Sequence, residues 1–244
     1  MGSAIHLKRS QSGFSMVELM VSTVIGLLLT AAMLAAFVAS AKTYQIQDAM
    51  AEVQEGGRYA SNILLKDLRQ SGAKAFGGVL IEGVENDAKK INSFEISHAN
   101  NALVILQDNV RSEIVYLPGL KTASSEGRAY YIGYSSGGVP SLYRNNQPLV
   151  EGVTGLVMEY GVDSDADQLV DSYRRISDMS ASDWSEVISA RFYLLMRSSG
   201  SGVTDKSQVL PAPFDALDTS DRRLYQVYTA TALIRNALAV KGAD

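Results

Sequence analysis

Ser12-Gly-Phe-Ser-Met-Val-Glu-Leu-Met20 places one acidic residue, Glu18, at the mouth of a run that carries no further charge until Lys42. From Leu19 to Ala41 a continuous helix rises about 35 Å, enough to cross a hydrocarbon core of about 30 Å. A carboxylate at the depth of a membrane is expensive and as a rule has a partner or a function. Lys8 and Arg9 precede the run, and the mixed-charge stretch Lys42 to Glu55 follows it. This asymmetry predicts a single-pass membrane protein with a cytoplasmic N-terminus and its bulk outside the cytoplasm.

Composition narrows the possible chemistry. The chain has 244 residues, 46% of them hydrophobic, and a formal charge of -4. It is long enough for one substantial globular domain plus an accessory element. With a pI near 5.3 there is no basic footprint, so a nucleic-acid partner is not expected. There are no cysteines, which removes disulfides, thiol nucleophiles and cysteine metal sites together. The two histidines are His6 and His98. His98 lies beside Ala99-Asn100-Asn101 and reads as a turn residue, without a serine nucleophile motif or a second histidine near it in sequence. An enzyme is therefore not expected.

A secretory signal peptide is the rival reading of the N-terminus, since Ala39-Ser40-Ala41 has the small-x-small form of a cleavage site. It would release a soluble protein beginning at Lys42. Signal h-regions, however, span about 7 to 15 residues, shorter than this run, and Glu18 at its head does not suit one.

Gly13-Phe-Ser-Met-Val-Glu-Leu19, with its short basic leader, resembles the class III leader of type IV prepilins. The resemblance implies cleavage after Gly13 by a prepilin peptidase, N-methylation of Phe14, and an assembly role for Glu18 five residues into the mature chain. There Glu18 would pair with the terminal amine of a neighbouring subunit. The simpler alternatives are that Glu18 snorkels to the interface or favours the positive end of the helix dipole.

Beyond Ala41 the pattern turns amphipathic, with Ile46, Met50, Val53, Ala60, Ile63, Leu64 and Leu68 at three- and four-residue steps. This predicts a helix to about Gln70, stopped by Ser71-Gly72. Gly56-Gly57 marks a bend or a close contact within it. Strand-like segments follow at Asn92 to Ser97, Ala102 to Gln107, Ser112 to Leu117, Ala129 to Tyr134, Val153 to Tyr160, Glu186 to Arg197 and Leu224 to Arg235. Leu117-Pro118-Gly119, Ser135-Ser136-Gly137-Gly138 and Ser198 to Ser201 read as loops, and Gly77-Gly78 as a turn. A long helix followed by short strands predicts an α+β fold.

Further blocks extend the resemblance: Glu55-Gly-Gly-Arg-Tyr-Ala60, Asp67-Leu-Arg-Gln-Ser-Gly72, Gln147-Pro-Leu-Val-Glu-Gly-Val153, Tyr160-Gly-Val-Asp163, Ser189-Ala-Arg-Phe-Tyr-Leu-Leu-Met-Arg197 and the segment from Arg223 to Asn236. Together with the leader they are similar to the PilW family of minor pilins. The family implies a type IV pilin-like fold, a long N-terminal helix packed on an antiparallel β-sheet head. Its division here is a cleaved leader at 1–13, a transmembrane and filament-core helix at 14–41, an amphipathic half at 42–72 and a periplasmic β-rich head at 73–244. It also implies partners, namely other minor pilins, the major pilin, the prepilin peptidase and the inner-membrane assembly machinery, and a final place at the pilus tip or filament surface. The chain departs from many pilins in lacking head cysteines and in having no proline before Pro118, which predicts a straighter helix. A J-type minor pseudopilin of a type II secretion system shares the leader and a related head, and is the closest alternative.

One further motif is Asp163-Ser-Asp-Ala-Asp-Gln-Leu-Val-Asp171. Carboxylates at Asp163, Asp165, Asp167 and Asp171, with the main-chain carbonyl of Leu169, match the alternating oxygen ligands of a calcium loop. Gln168 stands where such loops carry glycine, and Arg174 where they carry the bidentate glutamate. The reading opposed to calcium is an acidic solvated turn. Were calcium held, a membrane-anchored, calcium-dependent adhesion module would be a function of another class; assembly itself requires no cofactor. The tyrosines of the head could form an adhesive surface, although strand packing accounts for most of them.

Overall fold

A computed structural model describes residues 13–70, 82–85, 111–118, 127–145, 147–180 and 182–234. The expected leader up to Ser12, the strands at 92–97 and 102–107, the stop at Ser71-Gly72, the turn at Gly77-Gly78, Gly119, His6 and His98 lie outside these residues. The chain divides into two compact units, one ending at Gln45 and the other beginning at Ile46.

In the first unit the chain is helical from Met16, within a helix α1 that runs without interruption over Met16–Gln70. Its apolar side chains are exposed, among them Phe14, Leu19, Ile25, Leu28, Leu34 and Phe37. The hydroxyls on this segment bond back to the helix. Ser22 donates to the Glu18 carbonyl at 2.7 Å, Thr23 to Met20 at 2.8 Å and Thr30 to Gly26 at 2.8 Å. Such back-bonding satisfies each polar group inside the helix and leaves an outer surface compatible with lipid or with other apolar helices. By length and composition α1 qualifies as a membrane span.

In the second unit α1 buries Ala49, Val53, Gly57, Ala60, Leu64, Asp67 and Leu68, an apolar stripe at three- and four-residue spacing with one acid in it. The stripe faces a sheet built of β1 (Glu82–Glu85), β2 (Arg111–Pro118), β3 (Gly127–Tyr134), β4 (Pro140–Arg144), β5 (Gln147–Glu151), β6 (Val153–Val162), β7 (Ser172–Arg174), β8 (Val187–Arg197) and β9 (Tyr225–Leu233). Strand order is β5-β4-β3-β2-β6-β8-β9, with β1 on β2 and β7 on β6. Pairing is antiparallel except between β2 and β6, where Arg111 and Ser112 run parallel to Gly155 and Leu156. The result is the expected α+β, type IV pilin-like arrangement of a long helix and a largely antiparallel sheet.

Alternation along the strands sets two cores. Val53, Leu64 and Leu68 of α1 join Leu156, Met158, Phe192 and Leu194 on one face. On the other face Leu210 and Phe214, from the long segment between β8 and β9, cover Val157, Leu195 and Tyr225. Gly155 makes room there, because a Cβ at that position would stand 2.4 Å from Cε1 of Phe214.

The helix is continuous to Gln70, where the described residues stop, and β2, β3, β6, β8 and β9 fall close to where the sequence placed them. Pro118, read as loop, instead closes β2. The Ser135–Gly138 loop is a tight turn in which the Gly138 N–H donates to the Ser135 carbonyl at 2.8 Å. The hairpin β4–β5 was not foreseen, nor were β1 and β7.

Candidate assembly site

Residues Gly13 to Ser15 lead into α1 without helical structure, and the Leu19 N–H donates to the Ser15 carbonyl at 3.1 Å. Phe14 is 81% exposed. Glu18 lies in the first helical turn, where a carboxylate is favoured by the unsatisfied N–H groups and the positive end of the helix dipole. Sequence and structure thus put an exposed aromatic residue, a carboxylate and an uncharged helical surface in immediate succession. In an apolar surrounding such a carboxylate needs a cation within a few ångströms, since low dielectric magnifies the cost of leaving it alone.

The second half of α1 is locked to the head at positions that its helical pattern alone does not reveal. The ring of Tyr228, on β9, crosses α1 at Gly57, where a Cβ would stand 2.1 Å from Cε2 of the ring. Its hydroxyl donates to the Val53 carbonyl at 3.0 Å. Met196 and Val150 approach Gly56 in the same way, with Met196 Cε 2.7 Å from a Cβ built there. The Gly56-Gly57 pair is a close contact within a helix that continues through it.

Further along α1, Asp67 is 1% exposed and accepts a hydrogen bond from the Tyr130 hydroxyl at 2.5 Å. The guanidinium of Arg144 stands 3.6 Å from the same carboxylate oxygen. Burial first, and then the bond to Asp67, push the Tyr130 phenol far above its ordinary value. At the other end of the contact, Glu52 accepts from the N–H of Ser199 at 3.1 Å and from its hydroxyl at 3.0 Å. These ties connect α1 to β3, β4, β9 and the segment after β8. The sequence signal for Asp67 was its place on the apolar stripe, one step before Leu68.

On the sheet face away from α1, Glu159 accepts from Tyr193 at 3.0 Å and pairs with Arg191 at 3.3 Å, while Arg191 lies 4.1 Å above the Tyr173 ring. Tyr131 and Tyr143 stack with centroids 5.5 Å apart. These tyrosines are occupied with strand packing.

The acidic loop brings together three of its predicted residues. Carboxylate oxygens of Asp163, Asp165 and Asp171 lie within 4.8 Å of one another. Asp167 is turned elsewhere and accepts from the Leu169 N–H at 2.8 Å, and the Leu169 side chain is exposed. The converging carboxylates are also engaged by the loop itself. Asp171 accepts from the N–H and hydroxyl of Ser164 at 2.7 and 2.6 Å, Asp165 from the Asp167 N–H at 3.2 Å, and Asp163 from the Gln168 N–H at 3.2 Å. Arg174, at the place of the bidentate glutamate, pairs with Asp183 at 2.9 Å. The hydrogen bonds from Ser164 hold the Asp171 carboxyl below the usual range.

An exposed apolar helix headed by an acid, whose second half is packed on a β-sheet head, defines the class of type IV pilin-like proteins. Residues 129–236 match the family described as Type IV Pilus-assembly protein W, and residues 8–34 match the Prokaryotic N-terminal methylation motif. Over residues 129–236 the chain is thus similar to the PilW family, and over residues 8–34 to the N-terminal segment of methylated pilins. Comparison with curated proteins gives no match. Among solved structures, a type IV-like pilin from Thermus thermophilus is similar at 12% identity, covering 76% of this chain and 97% of its own, with a TM-score of 0.41. The methylation motif and the apolar helix mark a membrane-anchored pilin.

Proposed function

We propose that this chain is a minor pilin that primes or tips the assembly of a type IV pilus within a minor-pilin complex, without catalysis. The observation that carries the reading is the succession of Gly13, exposed Phe14 and Glu18 at the start of an exposed apolar helix, in a chain that also bears a PilW match. On this reading a prepilin peptidase cuts after Gly13 on the cytoplasmic side and Phe14 becomes the methylated terminus. While the subunit waits in the inner membrane its head is periplasmic, and the inner-membrane machinery then moves it into the filament.

Glu18 gives the reading its physical mechanism. Once helices bundle, the amine of a neighbouring subunit is the cation that this carboxylate lacks, and pairing would help set the axial stagger between helices. The head supplies lateral contacts to other minor pilins and the major pilin. No cofactor takes part, and the loop from Asp163 to Asp171 serves as an internally hydrogen-bonded turn.

The experiment replaces Glu18 by alanine in cells that make pili. Processed, membrane-bound protein that no longer enters a complex with other pilins is the expected result. Unimpaired entry of the E18A protein would remove Glu18 from the mechanism.

A further inference from the structure

We propose that the outer edge of β9 is an assembly surface that accepts an extended, uncharged strand from the head of a neighbouring pilin subunit. The proposal rests on the assembly reading above and adds to it the place and manner of one head contact.

Ladder parity shows which main-chain groups face outward. The Leu224 carbonyl accepts from the Ser198 N–H at 2.9 Å, and the Ile234 N–H donates to the Ile188 carbonyl at 2.8 Å. Residues 224 and 234 therefore bond toward β8, and every second residue between them does likewise. The N–H and C=O of Tyr225, Val227, Thr229, Thr231 and Leu233 then point away from the sheet. The first of these is already covered. Gln208 accepts from the Tyr225 N–H through Oε1 at 2.7 Å and donates to the Tyr225 carbonyl through Nε2 at 3.4 Å, so that its amide imitates a strand partner. Beyond that cap no main-chain partner for Val227, Thr229, Thr231 or Leu233 occurs among the described residues.

Among the described residues the two ends of the sheet differ in protection. Edges are ordinarily blunted by charge, proline, bulges or shortness. At one end β5 is five residues long, holds Pro148 and Glu151, and meets β4 through a register shift at Leu142/Tyr143. At the other, β9 is nine residues long, contains neither charge nor proline, and keeps unbroken register with β8 from Ser189↔Leu233 to Arg197↔Tyr225. Thr229, Thr231 and Leu233 are exposed along it.

The occupant follows from this chemistry. Outward donors and acceptors that recur every second residue, about 6.8 Å apart, are matched by an extended backbone. No charge on the strand selects an ionic ligand, and β-branched threonines suit uncharged cross-strand neighbours. For a protein similar to a pilus-assembly family, the extended backbone brought alongside is that of another pilin head.

The test uses the full chain with its membrane region, made alongside the other pilins and purified in detergent. Thr229→Pro removes an outward N–H without touching the ladder to β8, a setting in which an edge strand tolerates proline. Co-purified pilins should fall by about tenfold or more while circular dichroism is unchanged. A photo-cross-linking residue at position 229, which does not depend on the proline variant folding, should yield an adduct with a pilin, whereas the same residue at exposed Ser136 should not. A folded T229P protein that retains its partners, or no pilin adduct from position 229 in cells where the wild-type chain assembles, overturns the proposal. A wild-type chain that brings down no pilin at all overturns the assembly reading as well.

Discussion

The Tyr228 hydroxyl donates to the main-chain carbonyl of Val53 across 3.0 Å, and its ring occupies the space that a side chain on Gly57 would need. This predicts a reversal of the usual helix rule. In an exposed helix interior, alanine for glycine gains up to about 1 kcal/mol. Here Gly57→Ala should destabilise by about 1–3 kcal/mol, as overpacking does. The cost should largely vanish in a Tyr228→Ala background, a coupling that denaturant midpoints of the double-mutant cycle would measure.

Asp67 is the second anchor. Tyr130→Phe leaves its buried carboxylate without the hydroxyl donor, and should cost about 1–3 kcal/mol. Arg144→Ala removes a longer, partly solvated ion pair and should cost about 1 kcal/mol or less. Equal stabilities of Tyr130→Phe and wild type in urea would contradict the role given to this contact.

The pH dependence has two arms. Hydrogen bonds hold Asp171, Asp183 and Asp218 below their ordinary value of 3.8, so each favours the folded state above that value and loses its contribution as the pH falls below it. Burial raises Tyr225 from 10.0 to about 12, so its contribution is complete below 10.0 and is lost as the pH rises through about 12. Urea midpoints should therefore fall at both extremes, and Asp171→Asn should flatten the acid arm. An acid arm unchanged by that substitution would contradict the assignment.

Calcium provides a separate check on the acidic loop. With Asp167 turned aside and no bidentate glutamate, binding weaker than about 1 mM is expected, and 1 mM calcium would then add less than about 0.4 kcal/mol. The melting temperature should rise by under about 2 °C. A larger rise that Asp165→Asn abolishes would assign the loop a metal site.

Local pattern made much of this molecule legible before its coordinates. The stripe from Val53 to Leu68 located the helix and its buried face, and the Gly56-Gly57 pair marked a bend or a close contact, of which the structure has the close contact. The β4–β5 hairpin was hidden because Pro140, Asn145 and Pro148 are turn-forming residues, yet Pro140 opens β4 and Pro148 lies within β5, while Asn145 takes φ of 48° in the short connection between them. Alternating aspartates predicted convergence, which Asp163, Asp165 and Asp171 obey. Asp167 instead closes a local turn on Leu169, a competing hydrogen bond typical of its residue type. The Asp67–Tyr130 and Val53–Tyr228 bonds join residues 63 and 175 positions apart, distances at which periodicity carries no signal.

The most direct test of the pilin account is the N-terminal sequence and intact mass of the mature protein from cells that carry a prepilin peptidase. The account predicts a chain that begins with N-methylated Phe14 and has lost Met1 to Gly13. A mature protein beginning at Lys42, or one retaining the leader in peptidase-positive cells, would contradict it.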